Sequence, residues 1–366
     1  MSGFLWRAFS TIQPWCNKPE SLRFTPDDTA SRFLARDSMS VQKNRSHPNM
    51  GKHLAQTSGS CSIGGTAALA LLISCSGAAI AQNANSKQDE DFHGRATPGQ
   101  SVFGRHNFIE YVVGNLPIII SVPHGGYLKP ENLPDRDLGT PGRQDIKTQE
   151  LAREIIECFR QQTGKFPHTI INRLHREKLD ANRELFDAAL DDPIAGEAWN
   201  EFHAFIDSAQ HRVIQKFGKG LYIDLHGHRH DWQAVELGYL LVSSQLNLSD
   251  AELDATVSSA TTSVGLNVGK DPIPLSQLVR GPGSLGAALE QFGFPTVPSP
   301  AHPNPNGRPY FSGGFNLEQH SSFSGRPMFG VQIETPMSLR ENDGRRRAFA
   351  EALVKSILAL LKEMAL

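Results

Sequence analysis

Three apolar runs in this 366-residue chain each end in residues that can hold a metal ion or move a proton. The run from Leu116 to Val122 is followed by Pro123-His124-Gly125-Gly126. The run that begins at Leu221 ends in Asp224-Leu225-His226-Gly227-His228, and the one that begins at Phe329 ends at Glu334. Two imidazoles and a carboxylate around a position left open for water make a catalytic zinc site. A further carboxylate beside that water can act as general base. Alone, His124 would more simply cap the turn made by the glycines after it, and His226 would be a core histidine. Finding both at strand ends, each followed by glycine, favours metal. His228 lies two residues beyond His226 and points the same way in extended chain. It is read as a contact to substrate or to a ligand in preference to a ligand itself, and His230 as exposed. Glu334 competes with a strand-end salt bridge, but its apolar neighbours and the following Thr-Pro favour a site carboxylate.

A second cluster holds Arg173, Arg176 and Leu179-Asp180-Ala181-Asn182-Arg183, just after the short strand expected at His168–Asn172. A guanidinium there can hold a carboxylate with two parallel hydrogen bonds, and a neighbouring amide can share the contact. The rival is a structural ion pair of Arg183 with Asp180 or Glu184, and spacing does not separate the two.

These residues need a scaffold. The β-branched run Leu116–Val122 reads as a strand buried on both faces. A helix follows, with Leu151, Ile155 and Phe159 four apart. A long helix over Pro193–Phe217 puts Trp199, Phe202, Ile206, Ala209, Val213 and Phe217 on one face. Further strands are expected at Leu221–Leu225, Val235–Val242 and Phe329–Glu334, with extended chain at Pro295–Pro298. A last helix begins near Gly344, capped by Asn342 or Asp343, with Phe349, Leu353, Ile357 and Leu360 inward. Strand and helix alternate, which predicts an α/β three-layer sandwich with a mixed, largely parallel central sheet. In such sheets ligands collect at the carboxyl ends of strands, where the three polar groups stand. There is no internal repeat and no second domain signature.

Composition narrows the function. Hydrophobic residues make up 39% and charged residues 20%, enough for a packed core. The formal net charge of -2, without blocks of like charge, gives nothing to attract nucleic acid. Cys16, Cys61 and Cys75 lie early in the chain and only Cys158 lies later, so a metal there depends on histidines and carboxylates. Thr66 to Ala81 is apolar but too short for a stable membrane span. It ends in Ala79-Ile80-Ala81, a signal-peptidase site, so residues 50–81 read as a secretory signal peptide starting at Met50. Leu72-Ile73-Ser74-Cys75 also matches a lipoprotein box, which would place a lipid anchor on Cys75. Residues 1–49 read as a non-structural extension from a misplaced start codon, residues 82–100 as a linker, and residues 101–366 as a single domain. The expected localisation is secreted or periplasmic.

SVPHGG, the DxxTxELA segment at Asp145–Ala152, LDANRE, YIDLHGH, PYFSGG and VQIE follow one another in the order seen in N-formylglutamate amidohydrolases. Over roughly Leu116 to Leu339 the chain resembles that family, which is itself similar to zinc carboxypeptidases. The resemblance implies a phosphorylase/hydrolase-like fold and one Zn2+ ion held by His124 and His226. Asp145 is the favoured third ligand, set against a helix N-cap role, and Glu131 is the alternative ligand. The resemblance makes Glu334 the catalytic acid-base. Asn182 and Arg183 become the grip on a substrate carboxylate, with Arg176 nearby. The chain departs from the family in its histidine-rich DLHGH and in the proline-rich loop His302–Gly314. There Tyr310 could donate to a tetrahedral oxyanion, and so could His320 unless it is a surface loop residue. The expected substrate is a small N-acyl amino acid. A carboxypeptidase acting on short or cell-wall peptides uses the same parts, and a binding module that lost turnover is the third reading. Reaction class transfers along such a resemblance better than substrate does.

Overall fold

A computed structural model describes residues 96–136, 143–265 and 273–363. The chain divides into residues 1–67 and 68–366, and all of the described residues lie in the second unit. The expected extension, the signal segment with Cys75, and the linker before residue 96 lie outside them.

Eight strands form one mixed sheet: β1 (Ser101–Phe103), β2 (Ile109–Val112), β3 (Ile118–Val122), β4 (His168–Asn172), β5 (Gly220–His228), β6 (Val235–Gly238), β7 (Thr296–Val297) and β8 (Met328–Pro336). Their order is β1-β2-β4-β3-β5-β8-β6-β7. The centre, β4-β3-β5-β8, is parallel, while β2 and β6 join it antiparallel. The fold is therefore the α/β sandwich expected. The central strands are apolar on both faces because helices cover both.

Alternation sorts the two cores. Ile118, Ile120 and Val122 meet Leu151, Ile155 and Phe159 of the helix Thr148–Thr163, and Phe349, Leu353 and Ile357 of the helix Asp343–Glu363. Ile119, Ile170, Tyr222 and Met328 turn to the other face, under Phe202, Ile206, Ala209 and Val213 of the helix Pro193–Phe217. Asp192 caps that helix, accepting from the amides of Ile194 and Ala195. Asn342 accepts from the amide of Arg345 at the start of the last helix. One strand is shorter than its sequence suggests. The run Val235–Val242 leaves the sheet after Gly238, because Leu240 takes a left-handed conformation (φ 61°) and donates its amide to Ser312 of the crossing loop. Among the described residues no helix is long and apolar enough to cross a membrane.

Candidate metal centre and active site

The parallel ladder between β5 and β8 sets the spacing of the site. It pairs Asp224 with Gln332 and His226 with Glu334. All four are buried, and alternation turns them to the face away from Leu225 and Ile333. β3, the neighbour of β5, ends two residues before His124. The loop there passes so close to Arg173 and Leu174 that a Cβ on Gly126 would meet the Leu174 carbonyl at 2.0 Å. Glycine is thus required where the chain turns His124 back toward the sheet. Asp145 comes from the loop before the helix Thr148–Thr163. Its amide donates to the His124 carbonyl at 3.1 Å, which ties the two segments together.

The side chains converge. Asp145 Oδ2 lies 3.1 Å from His226 Nδ1 and 3.4 Å from His124 Nδ1. The other nitrogen of each ring is taken by a buried carboxylate. His124 Nε2 meets Asp180 Oδ1 at 2.6 Å, and His226 Nε2 meets Asp224 Oδ2 at 2.8 Å. A carboxylate holds the N–H of an imidazole, so Nε2 is the protonated nitrogen in each neutral ring and the Nδ1 lone pairs face Asp145. His124 Nδ1 is buried and has no hydrogen-bond partner, and neither has Glu334 Oε2. Two nitrogens and a carboxylate oxygen within 4.8 Å of one another, with Glu334 on the same cavity, are a donor set suited to zinc.

Electrostatics follow from burial and neighbours. Burial alone would raise the Asp145 carboxyl, but the adjacent His124 and His226 outweigh it and hold it far below the usual carboxylate range. Burial opposes the His226 imidazolium, yet the charge of Asp224 and the bonds to Asp145 and Asp224 raise it well above its ordinary value. Glu334 goes the other way. Burial, with Asp145 and the cross-strand neighbour Glu236 adding to it, lifts its carboxyl to about 8. A carboxyl poised near neutrality can both take and return a proton.

These groups open on a cavity of about 440 Å³ lined also by Arg143, Arg176, Asn182, Arg229 and Phe311. Arg176 donates Nε to Asp180 Oδ2 at 2.9 Å. Among the described residues the guanidinium groups of Arg143 and Arg229 meet no ion-pair partner. Asn182 is braced, its Oδ1 accepting from the Asn316 amide at 2.7 Å. A larger groove of about 990 Å³, along Leu185, Phe186 and the helix Pro193–Phe217, shares none of these residues.

His124, Asp145, His226, Glu334, Arg176, Asn182 and His228 all come to this one cavity. Four residues expected at the site, or weighed for it, do not. Arg183 is half exposed and outside the cavity lining, its Nε bound to Asp180 Oδ2 at 3.1 Å. This is the ion pair that spacing had left open. Tyr310 donates its hydroxyl to the Leu237 carbonyl at 2.6 Å and packs against the sheet core, so it faces no oxyanion. His320 is buried rather than on a surface loop, stacked on His203 with Nε2 2.8 Å from His203 Nδ1. Glu131 is exposed and apart from the histidines, whereas Asp145 is buried among them. Asp145 does not cap the next helix with its carboxylate either; its carbonyl receives the Thr148 hydroxyl.

His228, His230 and Glu236 form a second close group. Yet His228 Nδ1 accepts from the His230 amide and Nε2 donates to the Ala234 carbonyl, so both ring nitrogens are committed. His230 is partly buried over Phe311 and bound to Glu236 at 2.7 Å, not exposed as its sequence position suggests. Asp180 and Asp224 are not expected from the sequence as imidazole partners. For Asp224 a signal existed: it stands two residues before His226, on the same face of a strand.

A parallel-centred α/β sheet with a His-Asp-His cluster and a buried glutamate at its strand ends is the class of protein this fold and site define. The structure is similar to that of an N-formylglutamate amidohydrolase from Ralstonia eutropha, at 14% identity over 70% of this chain and 99% of that chain, with a TM-score of 0.43. It is similar also to a gene product of Agrobacterium tumefaciens (14% identity, 69% and 93% covered, TM-score 0.41). A third likeness is to an N-acetylmuramyl-L-alanine amidase from Mycobacterium smegmatis (13% identity, 67% and 97% covered, TM-score 0.29). No family model and no curated protein matches the sequence.

Proposed function

We propose that this protein is a metal-dependent hydrolase of an amide bond next to a carboxylate, with an N-acyl amino acid as the substrate class. One zinc ion would be held by His124, Asp145 and His226. The observation that carries this reading is the pair of imidazoles locked by Asp180 and Asp224, so that their Nδ1 atoms converge on Asp145 beside Glu334.

When bound, zinc supplies Lewis acidity, which acidifies water and polarises a carbonyl. The rest is work for this chain's own residues. Glu334, buried and with Oε2 unpartnered, takes the proton of the attacking water and returns it to the leaving amine. Gln332 Nε2 donates to Glu334 Oε1 at 3.1 Å and holds that oxygen, leaving Oε2 to the reaction. Arg176, anchored on Asp180, presents a cation to the cavity where negative charge develops on the substrate. With Arg183 turned away, the carboxylate grip passes to Arg143, Arg176 and Arg229, the cations that line the cavity.

Metal analysis of the purified protein, combined with a screen of N-acyl amino acids, their amides and short peptides, tests this reading. Stoichiometric zinc and a preference for free-acid N-acyl amino acids are the expected results. Equal turnover of acid and amide forms would remove the carboxylate from the proposal. A preference for peptides would shift the reading to a carboxypeptidase. We propose further that the chain is exported and cleaved after Ala81, or before Cys75 if that residue is lipidated. Mass spectrometry of exported protein should find a chain starting at Gln82, or a lipidated one at Cys75, and an intact cytosolic chain refutes export.

A further inference from the structure

Arg340, on the short helix Met337–Glu341, is the largest fully buried side chain among the described residues, at 1% exposure, and it has no carboxylate partner within ion-pair distance. Its guanidinium donates instead to three main-chain carbonyls from three separate parts of the chain. Nε reaches the Thr335 carbonyl at 3.1 Å and Nη2 the His228 carbonyl at 3.1 Å, while Nη1 reaches that of Ile146. Thr335 follows Glu334, Ile146 follows Asp145, and His228 stands two residues after His226. The group also lies flat against the strand that carries His226, for a Cβ on Gly227 would meet Arg340 Cζ at 2.1 Å.

We propose that Arg340 is a positioning residue of the metal centre, fixing with one planar group the three segments that present Asp145, His226 and Glu334. A buried cation without an acid partner is costly, and an apolar side chain of similar size would fill the same space without that cost. What an apolar side chain cannot do is satisfy three converging carbonyls. Lysine cannot either, because its donors radiate from one nitrogen rather than from a rigid fork. His124, whose segment receives none of these bonds directly, is tied in through the Asp145 amide.

The proposal rests on the metal reading for its consequence but not for its geometry, and the test separates them. Amide hydrogen exchange of the metal-free protein is compared between wild type and Arg340→Lys in the segments 144–148, 225–229 and 333–337. All three should exchange roughly tenfold faster together, while β2, β4 and the helix Pro193–Phe217 keep their protection. Zinc affinity, measured by competition with a chromogenic chelator, should fall about 10-fold or more, as for other groups that orient ligands. Unchanged exchange in the three segments overturns the proposal. So does a uniform rise across the sheet, which is the mark of a general staple. Should Arg340→Lys fail to fold, Gly227→Ala displaces the guanidinium with one methyl and is read the same way. A wild type that takes up no zinc would refute the proposed function, and the exchange pattern would still decide the clamp.

Discussion

Replacing Asp224 with asparagine removes a charge from behind His226 while leaving the shape of the side chain. Asp224 Oδ2 accepts from His226 Nε2 at 2.8 Å, and Oδ1 accepts from the Ser121 hydroxyl at 2.6 Å and from Asn316 Nδ2 at 3.2 Å. An asparagine oxygen can keep the His226 bond. Its NH2 then faces Ser121, whose hydroxyl can turn, and Asn316, whose Oδ1 lacks a partner and can receive it after an amide flip. The main loss is therefore the charged character of one hydrogen bond. Bonds to charged groups contribute roughly 1.5–3 kcal/mol against about 0.5–1.5 for neutral ones, a difference of about 1–1.5 kcal/mol. That corresponds to about a tenfold weaker hold on zinc, at the low end of the roughly 10- to 100-fold known for partners of metal-binding histidines. The pH dependence sharpens the test. Asp224 helps to hold a proton on metal-free His226, well above the ordinary imidazole range, and zinc must displace that proton. The variant loses part of this competition, so its deficit should be largest at the alkaline end and shrink as pH falls. The assay is a chelator-buffered zinc titration of the folded Asp224→Asn protein from pH 6 to 8.5. No deficit at any pH, or one that grows toward acid, would refute the hold of Asp224 on His226.

On the proposed function, Glu334→Gln should keep its metal and lose roughly 10²- to 10⁴-fold in kcat, since the amide accepts no proton; metal content and rate are read on the same sample. Arg183→Lys should leave KM for an N-acyl amino acid nearly unchanged. Arg176→Lys should lower kcat/KM about tenfold or more for free-acid substrates, the worth of a charged hydrogen bond; steady-state kinetics on acid and amide forms would show it. The metal-free protein should be acid-sensitive. Burial first, then nearby Arg212 and Lys216 for His168 and nearby His320 for His203, depress these imidazoles to about 3. The unfolded chain thus binds protons that the folded one refuses. Stability is full above about pH 6.5 and is lost as pH falls toward about 3. Urea midpoints across that window should drop steadily, and flat midpoints would contradict the burial of both rings.

What could be read in the sequence was local. His124, His226 and Glu334 stand out because each breaks a buried apolar run at a strand end, a pattern set by one segment at a time. The helices were legible through a single period. What the sequence does not show is the fate of a side chain that depends on a distant partner. Arg183 has two plausible acceptors, and only the return of Asp180 beneath His124 decides between them. Tyr310 looks like a donor to substrate until the Leu237 carbonyl is seen against it. Arg340 gives no sign at all, since nothing near it in the chain announces carbonyls from residues 146 and 228.

The pairing of β5 with β8 has a consequence for how such a protein can change. The distance from His226 to Glu334 is written into a main-chain ladder, so an added residue within β8 would not widen the site gradually. It would swap Glu334 for an inward-facing neighbour and bring Ile333 or Thr335 to its place. The segments 229–234 and 299–314 lie outside that ladder and contribute Arg229, Phe311 and Gly313 to the cavity wall. Length and composition can vary there while the acid and the imidazoles keep their spacing. On the proposed function, preference for one acyl group over another would then drift by loop replacement, with the hydrolytic step carried along unchanged.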